Sequence, residues 1–166
     1  MDERGPKEGI RVLPMKDGMK EGMRVIRAMT PAQRVGAQYV RIQGMAVKHH
    51  ISLEEEFDEH DFTDANYIVI LDDVLPIATG RMYPVSDEVM QLGRIVVLPE
   101  YRHQGLGSRV VREAEAWAKE LGYKKTVLES RENKVEFDEK LGYRADPNRD
   151  VVFRDVFYCV YMERML

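Results

Sequence analysis

Cysteine is nearly absent from this sequence, and so is any long apolar run. The single cysteine among 166 residues, Cys159, has no partner for a disulfide within the chain. No stretch approaches the roughly 18 to 20 apolar residues of a membrane-spanning helix, and residues 1–4 lack the apolar run of a secretory signal. We therefore expect a protein of the reducing cytoplasm that does not associate with a membrane.

An excess of basic residues is missing as well. Lys and Arg number 25 against 29 Asp and Glu, which gives a formal charge of −4. Nucleic-acid-binding domains concentrate basic residues on one face, so this scattered and slightly acidic balance predicts no nucleic-acid partner. The sequence has no internal repeat, and its length suits one domain over residues 1–166.

A metal site is not expected. His49, His50 and His60 lie near acidic residues, but adjacent histidines cannot easily converge on one ion, and the chain contains no H-E-x-x-H or C-x-x-C pattern. Cys159 lies in an apolar segment, where a buried thiol would be inert. The sequence therefore predicts neither a metal cofactor nor an acyl-cysteine intermediate.

The first third of the chain predicts a strand and two helices. Residues 10–13 are typical of a short strand, and a helix is expected from about Asp17 because Met19, Met23 and Ile26 recur at helical spacing. Residues 30–33, Thr-Pro-Ala-Gln, form the pattern of a capping box with proline at the first helical position. They predict a second helix to about residue 47, with an apolar stripe of Val35, Tyr39, Ile42 and Ala46.

The remainder predicts a strand-rich α/β domain. An acidic segment covers residues 52–61, and helices are expected from Ser108 to Leu121 and from about Asn133 to Gly142. A strand, a helix and a strand in succession imply a parallel pair joined by a crossover. The further strands are predicted at residues 67–71, 74–82 with an irregular start at Pro76, 92–98, 125–130, 151–153 and 156–162.

The glycine-containing loop at residues 102–107 is the most informative segment. It follows the apolar strand 92–98 and opens a helix, and Gly105 and Gly107 let the backbone come close to a ligand. The helix start offers unpaired N–H groups and the positive end of the helix dipole, an arrangement that binds phosphate. A dinucleotide loop would read G-x-G-x-x-G and a Walker loop would continue with G-K-[ST], and this loop has neither pattern.

At these residues the chain resembles the GNAT superfamily of acyl-CoA-dependent N-acetyltransferases. A further likeness, in the acidic stretch after the second helix, is to a small bacterial subgroup of that family. The resemblance implies a mixed, mostly antiparallel sheet with a central splayed pair of parallel strands and flanking helices. The motifs lie within residues 91–143 and are Ile95-Val96-Val97, Pro99-Glu100-Tyr101-Arg102, Gly105-Leu106-Gly107-Ser108, Leu121-Gly122-Tyr123, Asn133 and Lys140-Leu141-Gly142-Tyr143.

The resemblance also implies acetyl-CoA as co-substrate. In this family the loop amides wrap the pyrophosphate, and the pantetheine arm bonds to the backbone of the first splayed strand. Arg102 and His103 could instead be solvated loop cations, and Asn133 could simply cap a helix. The predicted cofactor-binding residues are Ile95, Val96, Val97, Arg102, His103, Gln104, Gly105, Leu106, Gly107, Ser108, Asn133 and Phe137.

The groups that move protons depart from the family pattern. The backbone N–H of Val97 is the implied oxyanion donor, but the position of the family's acidic tyrosine holds Asp138. An ordinary aspartate is ionised at neutral pH and is a poor acid unless burial raises its pKa. Its acidic neighbours Glu136 and Glu139 favour a solvated helix residue. The alternative acids are Tyr143, Tyr158 and Tyr161.

A general base is not evident either. The glutamate of the histone-acetylating branch corresponds to Gln91, which cannot accept a proton at neutral pH, so that branch is disfavoured. The acidic segment offers Glu56 and Asp58 as the favoured carboxylates, either to take the proton or to attract a cationic amine. A solvated charged loop and a water chain are the alternatives.

The sequence as a whole predicts an N-acetyltransferase that acts on the primary amine of a small molecule. The amine would attack acetyl-CoA directly in a ternary complex. The alternatives are acetylation of a protein amino group and a non-catalytic acyl-CoA-binding regulatory module. Two-fold self-association is common in such folds, so a homodimer is a further expectation.

Overall fold

The computed structural model describes residues 10–11, 20–154 and 156–166. The strands are β1 (Ile10–Arg11), β2 (Met23–Arg27), β3 (Asn66–Asp72), β4 (Leu75–Pro84), β5 (Val89–Val97), β6 (Lys125–Arg131), β7 (Arg144–Ala145), β8 (Val152–Arg154) and β9 (Phe157–Met165). The helices are α1 (Pro31–Arg41), α2 (Val47–His49), α3 (Leu53–Glu56), α4 (Glu59–Phe62), α5 (Leu106–Glu120) and α6 (Val135–Lys140). A π-helical segment, Ile42–Ala46, joins α1 to α2.

The described strands form one mixed sheet. Their order is β1-β2-β3-β4-β5-β6-β9-β7, and β8 pairs with β9. Only β5 and β6 run parallel among these pairs, and α5 connects them. This confirms the predicted mostly antiparallel sheet with a central parallel pair.

The parallel strands separate toward their carboxyl ends. Residues 89–92 of β5 pair with residues 125–128 of β6, yet β5 continues to Val97 and β6 to Arg131. The pairing therefore ends at Leu92 and Leu128, and the two strands diverge beyond these residues. We call the opening between them the strand gap.

A β-bulge shapes β5 beside the strand gap. Thr79 pairs with Val96 and Arg81 with Gly93, so two residues of β5 oppose Gly80. The first of them, Arg94, has a φ of 49°, which is unusual for a residue with a side chain. A Cβ on Gly80 would lie 2.4 Å from Val110 Cγ1, so the absence of a side chain lets α5 approach the sheet here.

Helices cover both faces of the sheet. The α1 face carries α1, which packs on β3 and β4, and the α5 face carries α5, which packs on β3, β4 and β5. Both faces bury apolar side chains, and one large cluster joins β4, β5 and β6 to α5. In the described part of the chain, no helix is both long and apolar enough to cross a bilayer.

The capping box at the start of α1 is confirmed. Thr30 Oγ1 accepts a hydrogen bond from Gln33 N–H at 3.2 Å, and Gln33 Oε1 accepts one from Thr30 N–H at 3.1 Å. The predicted apolar stripe is wrong at Val35, which is 59% exposed, and at Tyr39, which is 39% exposed, whereas Ala46 is buried as predicted. The buried face of α1 consists of Gly36, Ala37, Val40 and Arg41.

The predicted first helix is wrong where the structure describes it. Residues 23–27 form β2, which pairs with β1 on one side and β3 on the other. Met23 and Val25 are buried two residues apart, and this strand alternation with hydrogen-bonded neighbours outweighs the helical spacing of the methionines. Met19 and the end of the predicted first strand lie outside the described residues.

The later elements follow the prediction closely. The β3–β4 register shifts between Ile70 and Leu71, opposite Pro76, as the irregular start of that strand predicted. Gly122 and Gly142 have φ of 95° and 98° directly after the last turns of α5 and α6. The short strand β7 was not predicted, because its two residues carry no apolar alternation.

Candidate active site

The glycine loop leads directly into α5. Gly105 occupies the N-cap position with a φ of 77°, and α5 begins at Leu106, two residues before the predicted start. A Cβ on Gly105 would meet no heavy atom within 4 Å. The loop is therefore open on this side, and the first N–H groups of α5 have no partner within the helix.

The backbone of Val97 faces the strand gap. Leu98 N–H donates to Ile77 O on β4 at 2.9 Å, and successive residues of a strand direct their backbone groups to opposite sides. The Val97 groups therefore point away from β4, and Val97 O accepts a hydrogen bond from Arg102 Nε at 3.1 Å. The same alternation turns Ile95 toward the gap and Val96 toward β4.

Gly107, in the first turn of α5, lies where the glycine loop, the strand gap and α6 meet. A Cβ on Gly107 would lie 3.6 Å from Phe137 Cζ, 3.9 Å from Val97 Cγ2 and 4.0 Å from Ile95 Cγ2. Phe137 is 38% exposed, whereas Leu106 is buried and contributes to the core. The predicted cofactor residues on three separate segments therefore border one space.

Cations gather at the carboxyl ends of β5 and β6. Partial burial lowers the pKa of Lys48, and so does the positive charge of three neighbours, Arg102, Arg131 and Lys134. The pKa of His49 is lowered by burial and by Lys48, Arg131 and Arg102. This positive charge and the open glycine loop fit a cofactor with several phosphates.

Two other loop-side predictions can be placed. Gln104 is half-buried, and its Oε1 atom is buried without a hydrogen-bond partner among the described residues. Asn133 is exposed in a short 3₁₀ turn, and the N-cap of α6 is Lys134, which makes no side-chain capping bond. Asn133 is therefore not the N-cap of α6, and its side chain is exposed to solvent.

The interpretation of Asp138 as a solvated helix residue is wrong. Asp138 is 8% exposed, and its carboxylate accepts a hydrogen bond from Ser130 Oγ at 2.6 Å. Burial raises the pKa of Asp138, and the Ser130 bond offsets part of this effect. Tyr143 is also buried, with its hydroxyl bonded to Thr126 Oγ1 at 2.8 Å, so its contacts are those of a core residue.

The raised pKa of Asp138 predicts that this residue makes the stability of the protein depend on pH. Above the ordinary pKa of 3.8, Asp138 loses its proton in the unfolded chain but keeps it in the folded chain. The free energy of unfolding therefore falls as the pH rises from this value through the raised pKa. Asp138→Asn removes the titration and keeps an acceptor for Ser130. As the pH rises, we therefore expect the unfolding free energy of the variant to increase relative to that of wild type.

Urea unfolding between about pH 4 and pH 8 measures this difference. Glu139→Gln is the matched control, because Glu139 is an exposed neighbour on α6. The same pH series on this control measures the effect of removing an acidic side chain from the surface of α6. A difference from wild type that does not change with pH in Asp138→Asn would contradict the prediction.

The two carboxylates favoured as base belong to one ion cluster, in which Glu56 is buried and the Asp58 side chain is 42% exposed. Arg41 is fully buried, and its Nε donates to Glu56 Oε1 at 2.9 Å. Its terminal nitrogens donate to Asp61 at 2.5 and 3.3 Å. Arg81 bonds Asp58 at 2.7 and 3.0 Å and Asp61 at 2.9 Å. We call these five residues the Arg41 cluster.

The cluster binds α1, α3 and α4 to the sheet. Burial alone would raise the pKa of Asp58, but the hydrogen bonds and charge of Arg81 outweigh it and lower that pKa. A carboxylate held in this way by a buried arginine, which cannot move away to solvent, is a weak base. Glu56 has no exposed surface, and the geometry favours an anchoring role for both side chains. Catalysis by Glu56 or Asp58 stays a prediction.

A cleft of about 300 Å³ lies on the α1 face beside the strand gap. Gln91, in its wall, pairs with Tyr83, whose ring stacks at 3.6 Å on His60 of α4. The lining residues are Val85, Ser86, Val89, Gln91, Lys125, Val127, Glu129, Arg149 and Tyr161. Sequence reasoning missed Glu129, although alternation along β6 places Lys125, Val127 and Glu129 on one side.

Comparison with known proteins identifies similar sequences and folds. The profile of the Acetyltransferase (GNAT) family matches residues 37–143. A Bacillus subtilis relative, called uncharacterized N-acetyltransferase YjcF, is 30% identical over 123 residues, which cover 74% of this chain and 86% of the relative.

Solved structures show the same likeness. A crystal structure from Lactobacillus plantarum, of a protein provisionally named an N-acetyltransferase, superposes with a TM-score of 0.81 at 30% identity, over 87% of this chain and 99% of that one. An aminoglycoside 6′-N-acetyltransferase complexed with coenzyme A superposes with a TM-score of 0.67 over 85% of this chain and 96% of that one. At 13% identity, the latter shows the fold alone.

Proposed function

The chain belongs to the GNAT acetyltransferase family, and from this premise we propose that it transfers the acetyl group of acetyl-CoA to the primary amine of a small molecule. The observation that carries the proposal is the strand gap, which has the glycine loop on the α5 face and the cleft on the α1 face. A donor and an acceptor can meet there. The cleft volume of about 300 Å³ is at the lower end of small-ligand pockets.

The donor would occupy the loop and the gap. The first N–H groups of α5 and the loop amides of residues 103–108 bind the pyrophosphate, and Arg102 and its cationic neighbours offset its charge. The pantetheine arm bonds the backbone of Ile95 and Val97, with Val96 supporting the strand from the α1 face. Phe137 and Asn133 border the arm on the α6 side.

The reaction requires no covalent enzyme intermediate. The neutral amine attacks the thioester carbonyl carbon, the C–N bond forms, and the π electrons move to the oxygen. The N–H of Val97 stabilises that oxyanion. Collapse breaks the C–S bond, the nitrogen loses its extra proton, and the departing sulfur takes up a proton. Burial of Cys159 supports direct attack, because a buried thiol is a poor nucleophile.

Thiol release from acetyl-CoA tests this function across a panel of small primary amines, with peptides as a separate class. We expect release that depends on the amine and saturates with both substrates in a sequential kinetic pattern. Activity on peptides alone would identify a protein acceptor instead. Tight coenzyme A binding without amine-dependent release would identify a binding module. The cytoplasmic location and a homodimer stay predictions.

A further inference from the structure

Glu129 lies where the cleft meets the strand gap. The last paired residues of the parallel strands are Leu92 and Leu128, so Glu129 is the first residue of β6 beyond the pairing. Its side chain lines the cleft on the α1 face. Ser130, the next residue, turns to the other face and bonds Asp138. The carboxylate of Glu129 is therefore at the acceptor side of the opening.

Gly93 is the first residue of β5 beyond the pairing and lies across the gap from Glu129. A Cβ on Gly93 would meet no heavy atom within 4 Å, so the wall of the gap is bare backbone at this point. The space beside it suits a narrow group such as an amine on an unbranched carbon.

Glu129 is the only acidic residue among the described residues that line the cleft. Its carboxylate bonds Arg154 of β8 through Nε at 3.2 Å and a terminal nitrogen at 3.3 Å. The Arg154 side chain is 62% exposed and that of Glu129 is 27% exposed. Exposed ion pairs contribute little free energy, so an ammonium group in the cleft can replace Arg154.

We propose that Glu129 binds the ammonium group of the acceptor and takes its proton, with the reacting nitrogen beside Gly93. One N–H bond breaks, its electron pair stays on nitrogen, and the proton passes to the Glu129 carboxylate and then to water. The neutral amine can then attack the thioester. This inference rests on the proposed function and adds the acceptor class, a slim primary aliphatic amine.

Glu129→Gln tests the carboxylate, and Glu163→Gln is the matched control. Glu163 is an acidic residue of β9 that bonds Lys125 Nζ at 2.9 Å and is not part of the cleft wall. For Glu129→Gln we expect kcat/KM for the amine to fall by about 100-fold or more. The Kd for coenzyme A should stay within about twofold of the wild-type value. Glu163→Gln should keep the wild-type kinetics.

The experiment distinguishes failure of the Glu129 inference from failure of the proposed function. An active wild type in which Glu129→Gln behaves like Glu163→Gln overturns this inference and leaves the proposed function intact. A wild type that releases no thiol with any amine overturns both. A parallel loss of coenzyme A affinity in Glu129→Gln would place Glu129 at the donor and would also overturn the inference.

Gly93→Leu tests the acceptor position independently. Gly93 is not among the residues with positive φ, and its surroundings are open, so the fold should tolerate leucine with little change in melting temperature. We expect amine-dependent turnover to fall by about 100-fold with coenzyme A affinity unchanged. Wild-type turnover in this variant would contradict the placement of the amine beside Gly93.

Discussion

Gly107→Val is expected to abolish coenzyme A binding and leave the fold intact. Gly107 is in the first turn of α5 and is not a positive-φ position. Its Cβ would make only ordinary contacts, the nearest at 3.6 Å from Phe137. The two methyl groups of valine would then fill the space between the loop, Val97 and Phe137, where we propose that the donor binds. Isothermal titration should show Kd raised by about 100-fold or more, a loss of roughly 2.7 kcal/mol.

Gly122→Val is the matched control at the other end of α5. Gly122 has a φ of 95°, so valine there is strained and should lower the melting temperature. It is remote from the gap, and coenzyme A affinity should stay at the wild-type value. Wild-type affinity in Gly107→Val would refute the assignment of the loop. An equal loss of affinity in both variants would show that stability, and not the loop, governs binding.

Local sequence signals predicted the glycine loop, the capping box of α1 and the parallel strand pair. The glycine loop and the capping box at Thr30 each depend on residues within a stretch of six, so their geometry follows from local backbone chemistry. The parallel pair follows from the short crossover through α5. These elements agree with the structure because no distant contact opposes them.

Long-range contacts decide the groups that the sequence misassigned. Asp138 looked solvated beside Glu136 and Glu139, but its own side chain turns inward to Ser130, eight positions away. The helical spacing of Met23 and Ile26 is outweighed by pairing with β3, more than forty residues later. Local spacing does not decide either case, because burial depends on which strands become neighbours.

The position of Glu129, on the proposed acceptor side, could be predicted from the sequence only in part. Glu129 follows the alternation of β6, so the side of the strand on which it lies could have been predicted. Its position beside the gap depends on where the β5–β6 pairing ends, which the sequence does not encode locally. The acidic segment was the predicted source of the base because it holds many carboxylates in a short stretch. In the structure, arginines Arg41 and Arg81 bind these carboxylates.

Arg41→Met is expected to cause the largest loss of stability. The guanidinium of Arg41 is fully buried and bonds the carboxylates of Glu56 and Asp61. Removing one partner of a buried ion pair leaves an uncompensated charge, which costs about 3 to 5 kcal/mol. Methionine keeps the apolar stem volume, so the loss measures the charge and not a cavity. Urea unfolding should show a midpoint lowered accordingly.

Arg112→Met is the matched control, because Arg112 bonds Glu115 on α5 at 3.0 Å with a side chain that is 40% exposed. Its unfolding free energy should change by less than about 1 kcal/mol. A similar small change in Arg41→Met would show that the Arg41 cluster contributes little to stability.

The pH dependence of Arg41→Met distinguishes charge from packing. Burial alone would raise the pKa of Asp61, but hydrogen bonds from Arg41 and Tyr67 hold it well below its ordinary value. In wild type, the stability from this group is present above the ordinary pKa of 3.8 and is lost as pH falls through the lowered one. Without Arg41, Asp61 can take up a proton at higher pH, so the stability deficit of the variant should become smaller as the pH falls. Unfolding measured between about pH 4 and pH 8 should show this convergence, and a deficit independent of pH would mean that packing dominates.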